Sequence, residues 1–189
     1  VTSSSLNAVV SSYNWDTSSN NTRELRFTAD ASDTLEIYDT NQGTAVWEPL
    51  LTGLDSDFPI RFTKFWSTTE LFDLLLFVNN SSTTYEWSGG IAEVSSVTTN
   101  TIVKRGTTTW AQERFYVNRN QSILINGTAY AYTGGTGTTA LTGVTPDPTG
   151  SVAAGDIAVQ QRVTRTNVPA SGLENDIVSQ LNNQVYVGS

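Results

Sequence analysis

The stretch that decides the fold lies between residues 73 and 90, which read DLLLFVNN (73–80), SSTT (81–84) and YEWSGG (85–90). A continuous apolar run of this length, bounded by turn residues, is typical of a strand buried on both faces of a sheet. A short buried helix is the alternative for residues 71–78, but the polar exit and the aromatic segment beyond it favour a strand. The stretch therefore predicts two strands joined by a polar turn.

Weaker copies of this pattern recur along the chain. When Leu35, Leu74, Ile123 and Ile177 are taken as anchors, the steps between them are 39, 49 and 54 residues. Steps of roughly 40–50 residues, each holding short strands and tight turns, are typical of propeller blades. The period is imperfect, so a generic β-meander remains an alternative.

Local signals indicate how the strands connect. Residues 60–66 alternate apolar and polar side chains as a strand does, and Gly89-Gly90 is a two-residue hairpin signal, so residues 60–98 predict a four-stranded meander. Asn126-Gly127 predicts a second hairpin. Residues 110–118 favour either a short helix or an irregular bridge.

These patterns predict an all-β chain of propeller-like antiparallel blades with a small inserted β-domain. We assign residues 1–22 to an N-terminal arm or first strand, 23–98 to blades, 99–170 to the insert and 171–189 to the start of the next blade. The insert is marked by denser Thr and Gly. The chain opens on a valine and ends in a strand-like segment, so we expect a fragment of a larger propeller.

Composition excludes several classes of function. The chain has 189 residues and a net charge of −8, and its basic residues are scattered, so we expect no dedicated nucleic-acid binding. Cysteine and histidine are absent, which removes disulfides, thiolates, the commonest metal ligand and the commonest general base. No apolar run approaches the roughly 18 residues of a membrane span. We therefore expect no metal site, no cofactor, no membrane insertion and no enzyme activity.

Carboxylates are the acid–base groups that remain. Asp55 with Asp57, and Asp30 with Asp33, are close enough in sequence to suggest the paired acids of a glycosidase. Aspartates of this spacing more often hydrogen-bond their own backbone in turns, and a calcium site is a further alternative. We favour solvated turns.

Two loops and several aromatic residues are candidates for contacts with a partner. We expect Trp66 and Trp87 to pack inside or between blades, and Trp110, outside the strands, to be exposed. The N-terminal arm and the loops at 134–137 and 146–150 are further contact elements; residues 134–137 lack the lysine and helix of a phosphate-binding loop, which favours a flexible loop. The candidate contact residues are Trp110, Tyr116, Tyr130, Tyr132, Gly134, Gly135, Pro146 and Asp147.

Three segments carry a family resemblance. DLLLFVNN (73–80) with TYEWSGG (84–90), and LNNQVYVGS (181–189), resemble blades of the β-propeller virion proteins of tailed bacteriophages. The stretch from INGTAYAYTGG (125–135) to LTGVTPDPTG (141–150) resembles an inserted β-domain that is common in such structural proteins. A closed propeller needs at least four blades, and this chain holds two to three.

The resemblance implies a tail hub, nozzle or adaptor that forms a ring with copies of itself and contacts other virion proteins. Its location would be the virion, assembled in the host cytoplasm. The main alternative is a receptor- or carbohydrate-binding β-module of a phage or cell surface, which predicts an exposed aromatic pair near Asn and Asp. A hydrolase domain is the third possibility and predicts two carboxyl groups about 5–10 Å apart in a cleft.

Overall fold

The structure is a computed structural model that describes residues 8–17, 22–39, 47–79, 83–165, 177–181 and 184–188. The chain is all-β: its described residues contain no helix, and its sheets are antiparallel. The all-β prediction is confirmed.

The first eight strands in the described residues are β1 (Ala8–Asp16), β2 (Thr22–Ala29), β3 (Thr34–Asp39), β4 (Glu48–Leu51), β5 (Arg61–Ser67), β6 (Phe72–Val78), β7 (Thr84–Trp87) and β8 (Ile91–Thr98). The next eight are β9 (Thr101–Lys104), β10 (Ser122–Ile125), β11 (Thr128–Ala131), β12 (Ala140–Thr142), β13 (Ile157–Gln160), β14 (Val163–Arg165), β15 (Ile177–Leu181) and β16 (Gln184–Gly188).

The first sheet is a meander in the order β1-β2-β3-β4. Leu25 and Phe27 on β2 alternate with half-buried polar residues and are themselves buried, as are Leu35 and Ile37 on β3. This period-2 pattern gives the sheet one apolar face. Because β1 pairs with β2, the described part of the predicted N-terminal arm is an edge strand of this sheet.

The second sheet has the order β14-β7-β6-β5. All seven residues of β6 are buried, which confirms the prediction of a central strand over the helix. The predicted meander over residues 60–98 is correct for β5, β6 and β7 but wrong for its fourth strand. β14 pairs with β7 in that place, after the chain has passed through residues 88–162, whereas β8 pairs with β9 and β13.

Residues 88–162 contain the third sheet, in the order β11-β10-β13-β8-β9-β12. β8 carries a register shift between Val94 and Ser96, so its first half pairs with β13 and its second half with β9. A bulge of this kind bends a strand, and the sheet curls into a half-barrel. Asn126 and Gly127 both have positive φ, which confirms the predicted β10–β11 hairpin turn. The boundary predicted between the blades and the insert, at residues 98/99, falls inside this sheet, because it separates β8 (91–98) from its partner β9.

Gly89 and Gly90 do not form the predicted two-residue hairpin, because β7 and β8 belong to different sheets. The chain crosses here from the second sheet to the third. A Cβ atom on Gly89, whose φ is +85°, would lie 2.9 Å from the ring of Trp15, and one on Gly90 would lie 2.8 Å from Cβ of Gln160. The glycines therefore permit close packing at the crossing.

Two main apolar cores hold the sheets. One is shared by all three sheets and includes Trp15, Phe27, Ile37, Leu75, Phe77, Trp87, Ile91 and Val159. The other lies within the half-barrel and includes Val94, Ile102, Trp110, Phe115, Ile123, Tyr130 and Leu141. The backbone of β15 lies near β5 and β6 of the second sheet. The three sheets therefore share buried side chains rather than being separate bodies joined by linkers.

We expect Gly89→Ala to destabilise the fold more than Gly150→Ala. Both glycines have positive φ, +85° and +81°, but a Cβ atom on Gly150 would meet nothing within 4 Å. Alanine at positive φ costs about 1 kcal/mol, and overpacking against Trp15 adds about 1–3 kcal/mol at residue 89 alone. Urea unfolding of the two variants measures the difference, and equal losses would contradict close packing at the crossing.

Candidate interaction site

Trp110 lies inside the protein, so the prediction that it is an exposed contact residue is wrong. It is completely buried in the half-barrel core and packs edge-on against Phe115, with ring centroids 4.6 Å apart. Its indole N–H donates to the carbonyl of Thr139 at 2.9 Å. Residues 110–114 form turns rather than a helix, and these turns carry the ring under the strands.

Three tyrosines predicted as contact residues are also buried. Tyr116, Tyr130 and Tyr132 are each at most 2% exposed, so their rings are not available at the surface. The Tyr116 hydroxyl donates to Glu86 Oε1 at 3.0 Å, and that of Tyr132 donates to the carbonyl of Tyr116 at 2.7 Å. A buried tyrosine usually needs such a partner for its hydroxyl. These two therefore belong to an internal polar network.

The remaining four candidates lie in loops of the half-barrel. Gly134 and Gly135 are half-buried in a tight turn, and a Cβ atom on Gly135 would lie 1.9 Å from the carbonyl oxygen of Ala140. Pro146 and Asp147 are exposed. The Asp147 carboxylate accepts a hydrogen bond from Thr149 N at 2.9 Å, and this bond lowers the pKa of the carboxyl group. Pro146 and Asp147 remain predicted contacts.

Arg114 joins the crossing between the sheets to the second sheet. Its side chain is 1% exposed, its Nε donates to the carbonyl of Ser88 at 2.7 Å, and its Nη2 lies 2.9 Å from Asp73 Oδ1 and also donates to the carbonyl of Asp73. The guanidinium lies over the rings of Trp15 and Phe72, at 5.0 and 4.7 Å from their centroids. Burial lowers the Arg114 pKa, and the Asp73 charge opposes that shift.

The partners of Arg114 are themselves held by the first sheet. The Trp15 indole donates to Asp73 Oδ2 at 2.9 Å. Arg23, which is also fully buried, donates from Nε to the carbonyl of Gly89 at 2.8 Å. Residues of the first and second sheets, of the crossing and of the 110–114 turn therefore meet in one polar cluster, which we call the Arg114 junction: Trp15, Arg23, Asp73, Ser88, Gly89 and Arg114.

A second buried cluster contains two carboxylates and one arginine. The side chains of Glu70 and Glu86 are 0% exposed, and Arg119, one-third exposed, contacts both. Its Nε lies 3.4 Å from Glu70 Oε1, and its Nη2 contacts Glu86 Oε1. Glu70 Oε2 also accepts a hydrogen bond from Val117 N at 3.3 Å. The two carboxylates are close to each other, as a hydrolase would need, but they are enclosed and paired with a cation rather than open to a substrate.

Gln160 links this second cluster to the core. Its side-chain oxygen accepts from Tyr116 N at 2.9 Å and from the Tyr132 hydroxyl at 3.2 Å, and its side-chain nitrogen donates to the carbonyl of Ser122 at 2.6 Å. Its backbone carbonyl accepts from the Trp87 indole at 2.9 Å. Gln160 therefore fixes the last strand of the half-barrel to β7 of the second sheet.

Sequence reasoning missed both polar clusters. A weak signal was present, because Asp73 and Glu86 are single acidic residues at the apolar positions around β6 and β7. Acids of this kind are rarely buried without a partner. The partners Arg114 and Arg119 lie 41 and 33 residues away, so the pairs could not be assigned without the fold.

The sequence-adjacent aspartates form turns, as predicted. Asp55 Oδ1 accepts from Asp57 N at 3.1 Å, and Asp30 Oδ1 accepts from Ser32 N at 2.7 Å. These are the backbone contacts that aspartate makes in turns. In the described part of the chain, no three His, Cys, Asp or Glu side chains are grouped so that they could hold a metal ion.

An exposed apolar surface lies at the turn between β5 and β6. Trp66, Leu71 and Val117, at or beside this turn, are 44, 72 and 39% exposed, and we call these three side chains the hairpin-tip patch. Trp87 is buried as predicted, but the expectation that Trp66 packs in the interior is wrong. Leu71 has a φ of +62°, which is a strained conformation for a bulky residue.

Comparison with protein-family models, curated proteins and solved structures found no significant match to this chain. Within the residues that the structure describes, no helix has the length and apolar character needed to cross a membrane. The residues themselves therefore carry the functional interpretation.

We expect Arg114→Met to lower the free energy of unfolding by about 3–5 kcal/mol, because it removes the Arg114 charge from beside the buried Asp73 carboxylate. Arg26→Met is the matched control, since Arg26 is one-third exposed and pairs with Glu36 at 2.7 Å on the surface. A surface pair contributes about 0–1 kcal/mol. Urea unfolding measures both, and a similar small loss in each variant would show that the Arg114 junction does not hold the sheets together.

We expect stability to fall above about pH 10, the ordinary pKa of tyrosine. Burial raises the pKa of Tyr132 and, together with the Glu86 charge, that of Tyr116. Below pH 10 both the folded and the unfolded chain keep these protons. Above it the unfolded chain loses them first, so the free energy of unfolding decreases with pH.

The urea midpoint at pH 8, 9.5 and 11 measures this decline. Tyr132→Phe cannot ionise at that position and should show a shallower decline than wild type, from a lower starting value because its hydrogen bond to Tyr116 is lost. Parallel declines in the two proteins would contradict a contribution from Tyr132.

Proposed function

We propose that this chain is a non-catalytic structural component of a tailed-phage virion, at the tail hub, nozzle or adaptor, and that it acts by assembling with copies of itself and with other virion proteins. The proposal assigns it to the virion. It rests on the arrangement of the sheets and on the resemblance of three sequence segments to phage propeller proteins.

The observation that carries the proposal is the serial arrangement of the sheets around the second one. Its β6 is buried on both faces: Leu75 and Phe77 point into the core shared with the first sheet, and Leu74, Leu76 and Val78 lie in separate clusters on the other face. The backbone of β15 lies near β5 and β6. Four-stranded antiparallel sheets that pack in succession along the chain are the arrangement of propeller blades.

The third sheet fits the proposed insert. The chain leaves the second sheet after β7, builds the six-stranded half-barrel and returns as β14 beside β7. We propose that β5, β6, β7 and β14 form one blade and that residues 88–162 are inserted between its third and fourth strands. An insertion at a blade connection is tolerated because it leaves the pairing of the blade intact.

The surface chemistry also supports an assembly role. Several cationic side chains of this acidic chain make contacts within its own fold. Arg23, Arg114 and Lys104 are buried, and Arg119 contacts two buried carboxylates. The hairpin-tip patch, in contrast, leaves large apolar side chains at the surface, as protein-protein contact sites do.

A carbohydrate-binding module is the second candidate, and the exposure of Trp66 favours it. Sugars stack on exposed indole rings, and the Asn118 side chain contacts the same β5–β6 turn, donating to the carbonyl of Thr69 at 3.4 Å. A single exposed ring offers less than the aromatic pair that this alternative predicts. Glycan-array binding that is lost in Trp66→Ser would favour the module.

Native mass spectrometry of this chain and of the intact gene product, over a range of concentrations, tests the assembly proposal. We expect closed oligomers of one defined copy number, because self-complementary heterologous contacts close into rings when the rotation permits. A monomer for both proteins at every concentration would contradict self-assembly and leave the glycan-binding alternative in place.

A further inference from the structure

The second sheet presents different chemistry at its two ends. The hairpin-tip patch lies where β5 ends and β6 begins, and exposed Lys64 is two residues before Trp66 on the same side of β5. At the other end, the loop before β5 exposes Phe58, at 42%, between the carboxylates of Asp55 and Asp57 and the start of the strand. Seven residues of β5 separate the ends by roughly 20 Å.

Both ends are held in shape by hydrogen bonds from neighbouring segments. At the acidic end, Asn79 Oδ1 accepts from Asp55 N at 2.6 Å, and Asn79 Nδ2 donates to the carbonyls of Asp55 and Phe58 at 3.0 and 2.9 Å. At the patch, Glu70 accepts from Val117 N. Surfaces that are already ordered lose little conformational entropy on binding.

We propose that the hairpin-tip patch of one copy docks on the Asp55–Phe58 loop of a second copy, so that the tip end of β5 in one copy meets the loop end of β5 in the next. The inference rests on the self-assembly proposed above and names the surfaces that would carry it. Trp66 and Leu71 would pack against Phe58, and Lys64 would face Asp57.

Charge complementarity favours a second copy as the partner. The chain carries a net charge of −8, so two copies repel unless a basic surface of one meets an acidic surface of the other. Lys64 supplies a positive charge beside the patch, and the loop end is acidic, with Asp55 and Asp57 outweighing exposed Arg61 at the start of β5. Because the two surfaces differ, the contact is heterologous, and it gives the closed ring proposed above when the rotation between copies closes.

Site-directed disulfide formation tests the contact directly, since the chain contains no cysteine. One protein carries Thr68→Cys at the tip, a second carries Ser56→Cys in the loop, and one of them is labelled with ¹⁵N. On mild oxidation we expect mixed dimers to form at least tenfold faster than between Thr68→Cys and Ser151→Cys, which places the thiol on an exposed position of the half-barrel region. Equal rates would overturn the proposal.

Charge exchange provides the second test, read as the self-association constant from sedimentation. Lys64→Glu should weaken association at least tenfold, and mixing it with Asp57→Lys should restore association between unlike copies. Ser95→Glu with Ser96→Glu, two exposed positions on β8, changes the net charge equally and should have a smaller effect.

The outcomes separate this inference from the function it rests on. If the wild-type chain assembles and Lys64→Glu and Trp66→Ser assemble equally well, the docking surface is wrong while self-assembly stands. If the wild-type chain stays monomeric at every concentration, the docking surface and the self-assembly proposal are both wrong, and a different protein would have to bind the patch.

Discussion

The fold depends on the contact between the Arg114 guanidinium and Asp73 at the point where the chain crosses between sheets. A crossing interrupts strand pairing and leaves backbone carbonyls without ladder partners, and buried carbonyls need donors. Arg114 and Arg23 supply those donors to Ser88 and Gly89. The positive charge is then matched by Asp73, which the Trp15 indole also contacts. The Arg114–Asp73 pair and Arg23 together thereby satisfy the crossing and tie it to both four-stranded sheets.

This arrangement also explains why the polar cluster requires glycine. The Arg114 side chain runs beside the backbone it serves, and Nε would lie 3.1 Å from a Cβ atom on Gly89. Removing the Arg114 cation takes a charge partner from the buried Asp73 carboxylate, which costs more than the intact pair contributes. The crossing, the glycines and the ion pair therefore depend on one another, and a substitution at one position changes the stability contributed by the others.

Local sequence was enough to predict the features that depend on neighbouring residues. The apolar run of β6 and the Asn126-Gly127 turn were predicted because the burial pattern of a strand and the geometry of a tight turn depend on only a few consecutive residues. The hairpin predicted at Gly89-Gly90 was wrong because glycine is favoured in two-residue turns and also where the backbone packs closely against other segments. β14 could not be assigned to β7 because the 75 residues between them carry no signal of where the chain returns.

The aromatic residues show the same limit for the candidate site. The strand pattern around Trp66 favoured burial and the position of Trp110 outside the strands favoured exposure, yet Trp110 is buried and Trp66 is 44% exposed. What separates them is the position of other segments: the turn at 110–114 brings one ring under the half-barrel, whereas the β5–β6 turn carries the other away from the shared core. Leu71, in a strained backbone conformation, adds a second apolar side chain there although a glycine would satisfy the turn at lower cost. Trp66 and Leu71 therefore expose apolar area at the same turn, which is the kind of surface that contact sites between proteins present.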